Sequence, residues 1–198
     1  MYILYIYKKM SIPQTHTVML YKLLKDVAFI LKKHNIEYFI DGGTLLGATR
    51  NNVIIPHDDD IDIGMNPSDF NKMLKVQKDF IDVGYSIQND DSILKVFVPN
   101  QWTEHNGKII GTPTLDIFRY SLHGQYYCLY HLSLRKRWPF SKHRKTDLYP
   151  LKMVKFGELT VPAPNNPIPY LDGTYPDWRT KIVIDLRDIE NPLQKYND

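Results

Sequence analysis

Between residues 15 and 35 the apolar positions fall at Met19, Leu20, Leu23, Leu24, Val27, Ile30 and Leu31, with Lys22, Lys25, Asp26, Lys32 and Lys33 on the other side. Steps of three and four predict an amphipathic helix. Residues 36–40 then read as a strand, broken at Asp41-Gly42-Gly43-Thr44. Glycine permits a tight turn there, and Thr44 is placed to cap a short helix running to about Arg50. Residues 53–55 are a β-branched run closed by Pro56, and residues 60–65 alternate acidic and apolar side chains, the period of a strand. Asn66-Pro67-Ser68-Asp69 opens a helix expected to continue to about Phe80. Further strands are expected over 85–88, 93–98, 114–119, 126–131, 153–156 and 159–161. Pro162, Pro164, Pro167 and Pro169 make 161–169 mostly extended, and a last helical stretch covers 182–189 or part of it.

Helices and strands are interspersed, with several strands adjacent in sequence. That order predicts an α/β (α+β) fold with a mixed or antiparallel sheet flanked by helices. The 198 residues suit one domain and are few for two. No internal repeat, low-complexity tract or Gly/Ser linker interrupts the chain, so a single domain over 1–198 is expected, with 1–14 as an initial strand or tail.

Composition narrows the function only a little. Hydrophobic residues at 43% and charged residues at 24% exclude wholesale disorder. A net charge of +3 suits anionic substrates but falls short of a dedicated nucleic-acid coat protein. Cys128 is the one cysteine, which rules out an internal disulfide and a Cys-based zinc site. Its apolar and aromatic neighbours predict a buried structural thiol. Residues 1–7 are too short to span a bilayer and lack a preceding basic segment, so a cytoplasmic protein without a membrane span is expected.

The chemistry concentrates in Asp41-Gly42-Gly43-Thr44-Leu45-Leu46-Gly47-Ala48-Thr49-Arg50 and in His57-Asp58-Asp59-Asp60-Ile61-Asp62-Ile63. On a strand, Asp60 and Asp62 project to one face with α-carbons roughly 6.6 Å apart, while Ile61 and Ile63 point into the core. Two carboxylates about 4 Å apart repel by roughly 4 kcal/mol at an effective dielectric of about 20. Oxygen-only ligands under that repulsion favour Mg²⁺ or Mn²⁺. An EF-hand loop starting at Asp58 is excluded, because Ile63 stands where it needs Gly and Asp69 where it needs Glu. Gly42, Gly43 and Thr44, between a strand and a helix start, offer backbone N–H groups and a hydroxyl to phosphate. Metal on one side and phosphate on the other is the layout of phosphoryl transfer. Asp116, in Thr114-Leu115-Asp116-Ile117-Phe118, repeats the pattern of an acid between core residues and is the candidate third carboxylate.

Gly-Gly-Thr followed by Asp-x-Asp resembles the nucleotidyltransferase pattern. The fuller string from Gly43 through Arg50 to Pro56-His57-Asp58-Asp59-Asp60-Ile61-Asp62-Ile63 is similar to the LicD/fukutin family, as are Leu115-Asp116-Ile117-Phe118, Val161-Pro162, Tyr170-Leu171 and Tyr175-Pro176-Asp177-Trp178. The resemblance implies a nucleotidyltransferase-like sheet. It also implies transfer of phosphocholine or a sugar-alcohol phosphate from a CDP-linked donor to a sugar or glycan acceptor. It assigns metal binding to Asp60 and Asp62 with Asp58 assisting, and makes Asp116 a third ligand or the base for the acceptor hydroxyl. Gly43 and Thr44 would meet the donor's phosphates, with Arg50 as a clamp. The sequence departs from the family at His57, where Trp is usual, and at Pro176, where Gly is common. His57 is then either a packing swap or a contact to substrate or metal. Many eukaryotic members carry an N-terminal membrane anchor, and none is expected here.

Two other readings stay open. One keeps the fold and transfers a nucleotidyl group to a small molecule or an RNA end. The other is a non-catalytic nucleic-acid-binding module built on Arg135, Lys136, Arg137, Lys142, His143, Arg144 and Lys145 with Trp138 and Phe140. The bland alternative for that segment is a solvated loop, and Arg50 could equally be an ordinary surface arginine.

Overall fold

The computed structural model describes residues 12–89, 92–105 and 108–180, and the expectations for 1–11 and for a helix over 182–189 lie outside them. Helix α1, Gln14–Lys33, buries Leu20, Leu23, Leu24, Val27, Ile30 and Leu31, all at most 4% exposed. Full burial of each such side chain stabilises by about 1.5–3 kcal/mol, so this one stripe suffices to dock the helix. It ends at Asn35, whose φ of 51° is left-handed, while Ile36 donates its N–H back to the Leu31 carbonyl at 2.9 Å. Lys32 and Lys33 in the last turn suit the negative end of the dipole.

Strand β1, Phe39–Ile40, leads into helix α2, Gly42–Asn51. Strand β2, Asp60–Met65, precedes helices α3, Pro67–Lys75, and α4, Gln77–Asp82. Asn66 caps α3 by accepting the Asp69 N–H at 2.9 Å, with Pro67 in the first turn. The single helix expected to Phe80 is broken at Val76.

Strands β3, Ser86–Asn89, and β4, Ile93–Phe97, are followed by the hairpin β5, Thr103–His105, with β6, Lys108–Gly111. Strand β7, Thr114–His123, is ten residues long and organises the sheet. Its first half runs parallel to β2 and antiparallel to β4, giving the order β1-β2-β7-β4-β3. Its second half pairs with β8, Tyr126–Leu129, which carries the edge strand β9, Lys142–Arg144. The expected α/β (α+β) class with a mixed sheet and flanking helices is thus observed.

The remaining elements are α5, Leu132–Arg137; α6, Lys145–Leu148; the hairpin β10, Lys152–Phe156, with β11, Leu159–Ala163; and α7, Ile168–Thr174. Proline spacing alone makes 161–169 extended. In the structure Pro162 sits inside β11 and Pro169 in the first turn of α7, where a missing N–H costs nothing. Cys128 is part-exposed rather than buried. It lies on β8 between Ser121 of β7 and Lys142 of β9, and its ring of aromatic neighbours does not enclose it.

Candidate active site

The parallel pairing of β2 and β7 sets the site's geometry. It puts Asp62 opposite Asp116 and Asp60 opposite Thr114, while Ile61, Ile63, Leu115 and Ile117 are fully buried on the other face. The period of two, read from sequence for Asp60 and Asp62, therefore extends across two strands. Antiparallel pairing of β4 with β7 adds Lys95 opposite Asp116, and its ammonium meets Asp116 Oδ2 at 2.6 Å. Lys95 was missed by sequence reasoning. Its signal was an alternating strand whose one charge faces the acids.

The Gly-Gly-Thr segment closes on these acids. Asp41, not Thr44, is the residue preceding the helix, and the glycines form its first turn. The Gly43 N–H donates to Asp62 Oδ2 at 3.0 Å, and the Thr44 hydroxyl oxygen accepts the Asp62 N–H at 2.9 Å. Asp41 also donates its N–H to the Asp62 carbonyl at 3.0 Å. Gly42 has φ +52°, and a Cβ there would lie 2.2 Å from Asp62 Oδ2; a Cβ on Gly43 would lie 2.4 Å from Asp58 Oδ2. Only glycine lets the backbone approach both carboxylates this closely. Thr44 is 2% exposed, so the hydroxyl expected to meet phosphate instead holds the acidic strand.

Burial pushes the Asp62 carboxyl well above the usual carboxylate range, and the charges of Asp60, Asp58, Asp116 and Asp41 push it further. Asp41 behaves in the opposite sense. Burial alone would raise it, but His143 Nε2 at 3.0 Å and the Tyr120 hydroxyl hold it below the usual range. His143 is itself 1% exposed and stacks on Tyr170 with ring centroids 4.2 Å apart. The phenol of Tyr175 is pushed up by burial and then by the charges of Asp62, Asp58, Asp41 and Asp60. His16, fully buried in α1, holds the Asp59 carbonyl at 2.8 Å.

Asp58, Asp60, Asp62, Asp116, Gly42, Gly43 and Thr44 are thus gathered in one place. Arg50 is not: it lies in the last turn of α2, roughly 10 Å along the axis from Gly43. His57 is part-exposed in the turn closed by the Asp58 N–H and the Ile55 carbonyl. Sequence reasoning also missed Tyr120, and it named Tyr170 and Tyr175 only as part of the resemblance and His143 only as part of a basic segment. His143 was legible as the inward residue of an alternating Lys-His-Arg strand but was absorbed into the basic cluster.

The donor set fits a hard divalent cation in its chemistry: oxygen atoms alone, mutually repelling and partly withdrawn from water. As the side chains lie, no three such groups among the described residues converge on one point, and Lys95 supplies the positive charge at Asp116.

The family described as LicD/FKTN/FKRP, nucleotidyltransferase domain, matches residues 35–166. The chain belongs to the LicD family. The match begins just before β1 and ends just before α7, so it contains every acid of the site. An uncharacterized protein of Rickettsia typhi is 36% identical over 177 residues, covering 89% of this chain and 52% of the relative. Another from Rickettsia prowazekii is 33% identical over the same length, covering 89% and 61%. The chain therefore spans a little over half the length of these curated relatives. The lipopolysaccharide cholinephosphotransferase LicD of Haemophilus influenzae is 29% identical over 107 residues, covering 54% of this chain and 38% of that protein. The solved structure of Cid1 in complex with the UTP analog UMPNPP aligns at 14% identity with a TM-score of 0.35, over 59% of this chain and 34% of that one. So slight a likeness adds nothing to the assignment. Among the described residues no helix of this LicD-family chain is long and apolar enough to cross a membrane.

Proposed function

We propose that this chain is a Mg²⁺- or Mn²⁺-dependent transferase that moves phosphocholine or a sugar-alcohol phosphate from a CDP-activated donor to a glycan hydroxyl. The observation that carries the reading is the closure of the Gly42-Gly43 turn on Asp58 and Asp62, within a LicD-family domain. Asp60 and Asp62 would hold the ion, Asp58 would assist, and Asp116 would complete the set or take the acceptor's proton. When bound, the ion would neutralise charge on the transferred phosphoryl oxygens. Lys95 keeps the Asp116 carboxylate oriented. Thr44 and the Gly43 N–H fix the acids rather than the donor. The reaction forms a bond from the acceptor oxygen to phosphorus, breaks the bond to CMP and passes the acceptor proton to a carboxylate. Cys128, the one cysteine in the sequence and unpaired, suits a cytoplasmic setting.

The test is turnover of CDP-choline or CDP-ribitol with and without Mg²⁺, for wild type and for Asp60→Ala and Asp62→Ala. Metal-dependent release of CMP that both variants abolish is the expected result. Turnover that survives either substitution overturns the assignment, and release of pyrophosphate from CTP or UTP would move it to nucleotidyl transfer.

A further inference from the structure

Between Asp116 and Asp147 the chain has no acidic residue and seven Lys or Arg. Taking those seven from the chain's 25 Lys and Arg leaves 18 against 22 Asp and Glu, so the rest of the protein is net acidic. Among the described residues no carboxylate forms an ion pair with any of the seven. Positive charge is therefore concentrated in one segment and left uncompensated there.

The fold gathers this segment on one face. Tyr126 of β8 stands opposite both His123 of β7 and Arg144 of β9, and Cys128 stands opposite both Ser121 and Lys142. Cross-strand partners share a face, so these side chains point outward together, while Tyr120, Leu129 and His143 are buried on the other side. Arg135 of α5 donates to His123 Nε2 at 3.3 Å, which sets that helix beside the outer face. Leu132, Arg135 and Lys136 lie three and four residues apart on one side of α5, with Leu134 buried behind them. Apolar side chains stand among the cations: Leu132 is 58% exposed, Phe140 51% and Tyr126 41%. Phe140 and Tyr126 border the same surface depression as Lys142 and Arg144.

Single-stranded nucleic acid would need open ring faces for its bases. Here Lys142 lies over the Tyr126 ring at 5.4 Å, Arg119 over Tyr130 at 3.6 Å and Arg137 over Trp138 at 4.9 Å. Leu132 offers nothing to a phosphate or a base. A bilayer uses both kinds of side chain, cations at anionic headgroups and apolar groups at the boundary with the acyl chains. We infer that this face docks on an anionic lipid bilayer, with Lys136, Lys142 and Arg144 at lipid phosphates and Leu132 and Phe140 inserted between headgroups. The docking does not rest on the proposed transfer reaction. The β9 backbone separates Lys142 and Arg144 from the contact of His143 with Asp41.

The test is co-sedimentation of the full chain with vesicles of phosphatidylcholine alone and of phosphatidylcholine mixed equally with phosphatidylglycerol. Binding to the anionic vesicles alone, weakened by added salt, is expected. At about fivefold per cation, Lys142→Ala/Arg144→Ala should weaken it at least about tenfold. Leu132→Ser should weaken it at least about threefold, through lost insertion. Lys25→Ala/Lys32→Ala removes the same charge from exposed positions of α1 and should change binding less than about twofold. Asp62→Asn should bind like wild type, so failure of the transferase reading would leave this result standing. No preference for anionic vesicles, equal losses from the two double variants, or unchanged binding by Leu132→Ser would overturn the proposal. So would single-stranded RNA that binds more tightly and displaces the vesicles, or salt-sensitive self-association in place of vesicle binding.

Discussion

The Gly43 N–H donates to Asp62 Oδ2 at 3.0 Å, tying the first turn of a helix to a carboxylate nineteen residues further along the chain. This bond, with Thr44 on the Asp62 N–H, welds α2 to β2 and leaves the acids little freedom. It also explains why a Gly-Gly pair stands there, since each glycine faces a different aspartate.

The two glycines should therefore respond differently to alanine. Gly42→Ala forces a left-handed residue, about 1–2 kcal/mol, and drives a Cβ into the Asp62 carboxylate. Gly43→Ala carries no such backbone penalty and displaces only the end of the Asp58 side chain. Urea titrations should show Gly42→Ala clearly destabilised and Gly43→Ala nearly wild type, with turnover impaired in both. Equal midpoints for the two variants would contradict this account.

Asp41 is a buried anion held by His143 and Tyr120, and each has its own weight. Tyr120→Phe removes one donor and should cost about 1–3 kcal/mol. His143→Ala leaves the charge with less compensation and opens a void beside Tyr170, so about 3–5 kcal/mol is expected. Chemical denaturation of both variants checks the order, and the reverse order would assign the anchoring to Tyr120.

Lys95 supplies the positive charge at the third acid, so its removal should sharpen the need for a cation. Lys95 is about one-third exposed, and Lys95→Met should cost only about 1–2 kcal/mol after solvent screening. Added Mg²⁺ should then raise the melting temperature more in Lys95→Met than in wild type. A smaller rise would place the ion elsewhere.

Much of this site was written in local pattern. The alternation of Asp60 and Asp62 with isoleucines, and of Asp116 with Leu115 and Ile117, follows from period two and was legible without partners. What stayed hidden was pairing. That β2 and β7 run parallel in the register setting Asp62 against Asp116, or that Lys95 lands opposite, is fixed by contacts distant in sequence. His143 shows the same limit: its neighbours Lys142 and Arg144 advertise a solvated segment, and only its partner Asp41, 102 residues away, reveals the inward face. Likewise α7 arose where four prolines predicted extended chain, because Pro169 is harmless in a first turn.

Stability in the absence of metal should depend on pH in a way that separates Asp62 from Asp41. The folded state raises the Asp62 carboxyl above its unfolded value near 4, so its contribution is fully present below about pH 4 and is lost as pH rises through the raised value. Asp41 is lowered, so its contribution is present above about pH 4 and is lost as pH falls through the depressed value. Asp62→Asn removes the first dependence and leaves the second. The metal-free variant should therefore be more stable than wild type at neutral pH, with the gap closing as acid protonates the wild-type carboxyl. Saturating Mg²⁺ should close the same gap from the other side, by stabilising wild type alone. Melting curves from pH 4 to pH 8, with chelator and with Mg²⁺, give all four limits. A wild type as stable as Asp62→Asn at pH 8 in chelator would mean that Asp62 carries no strain for a cation to relieve.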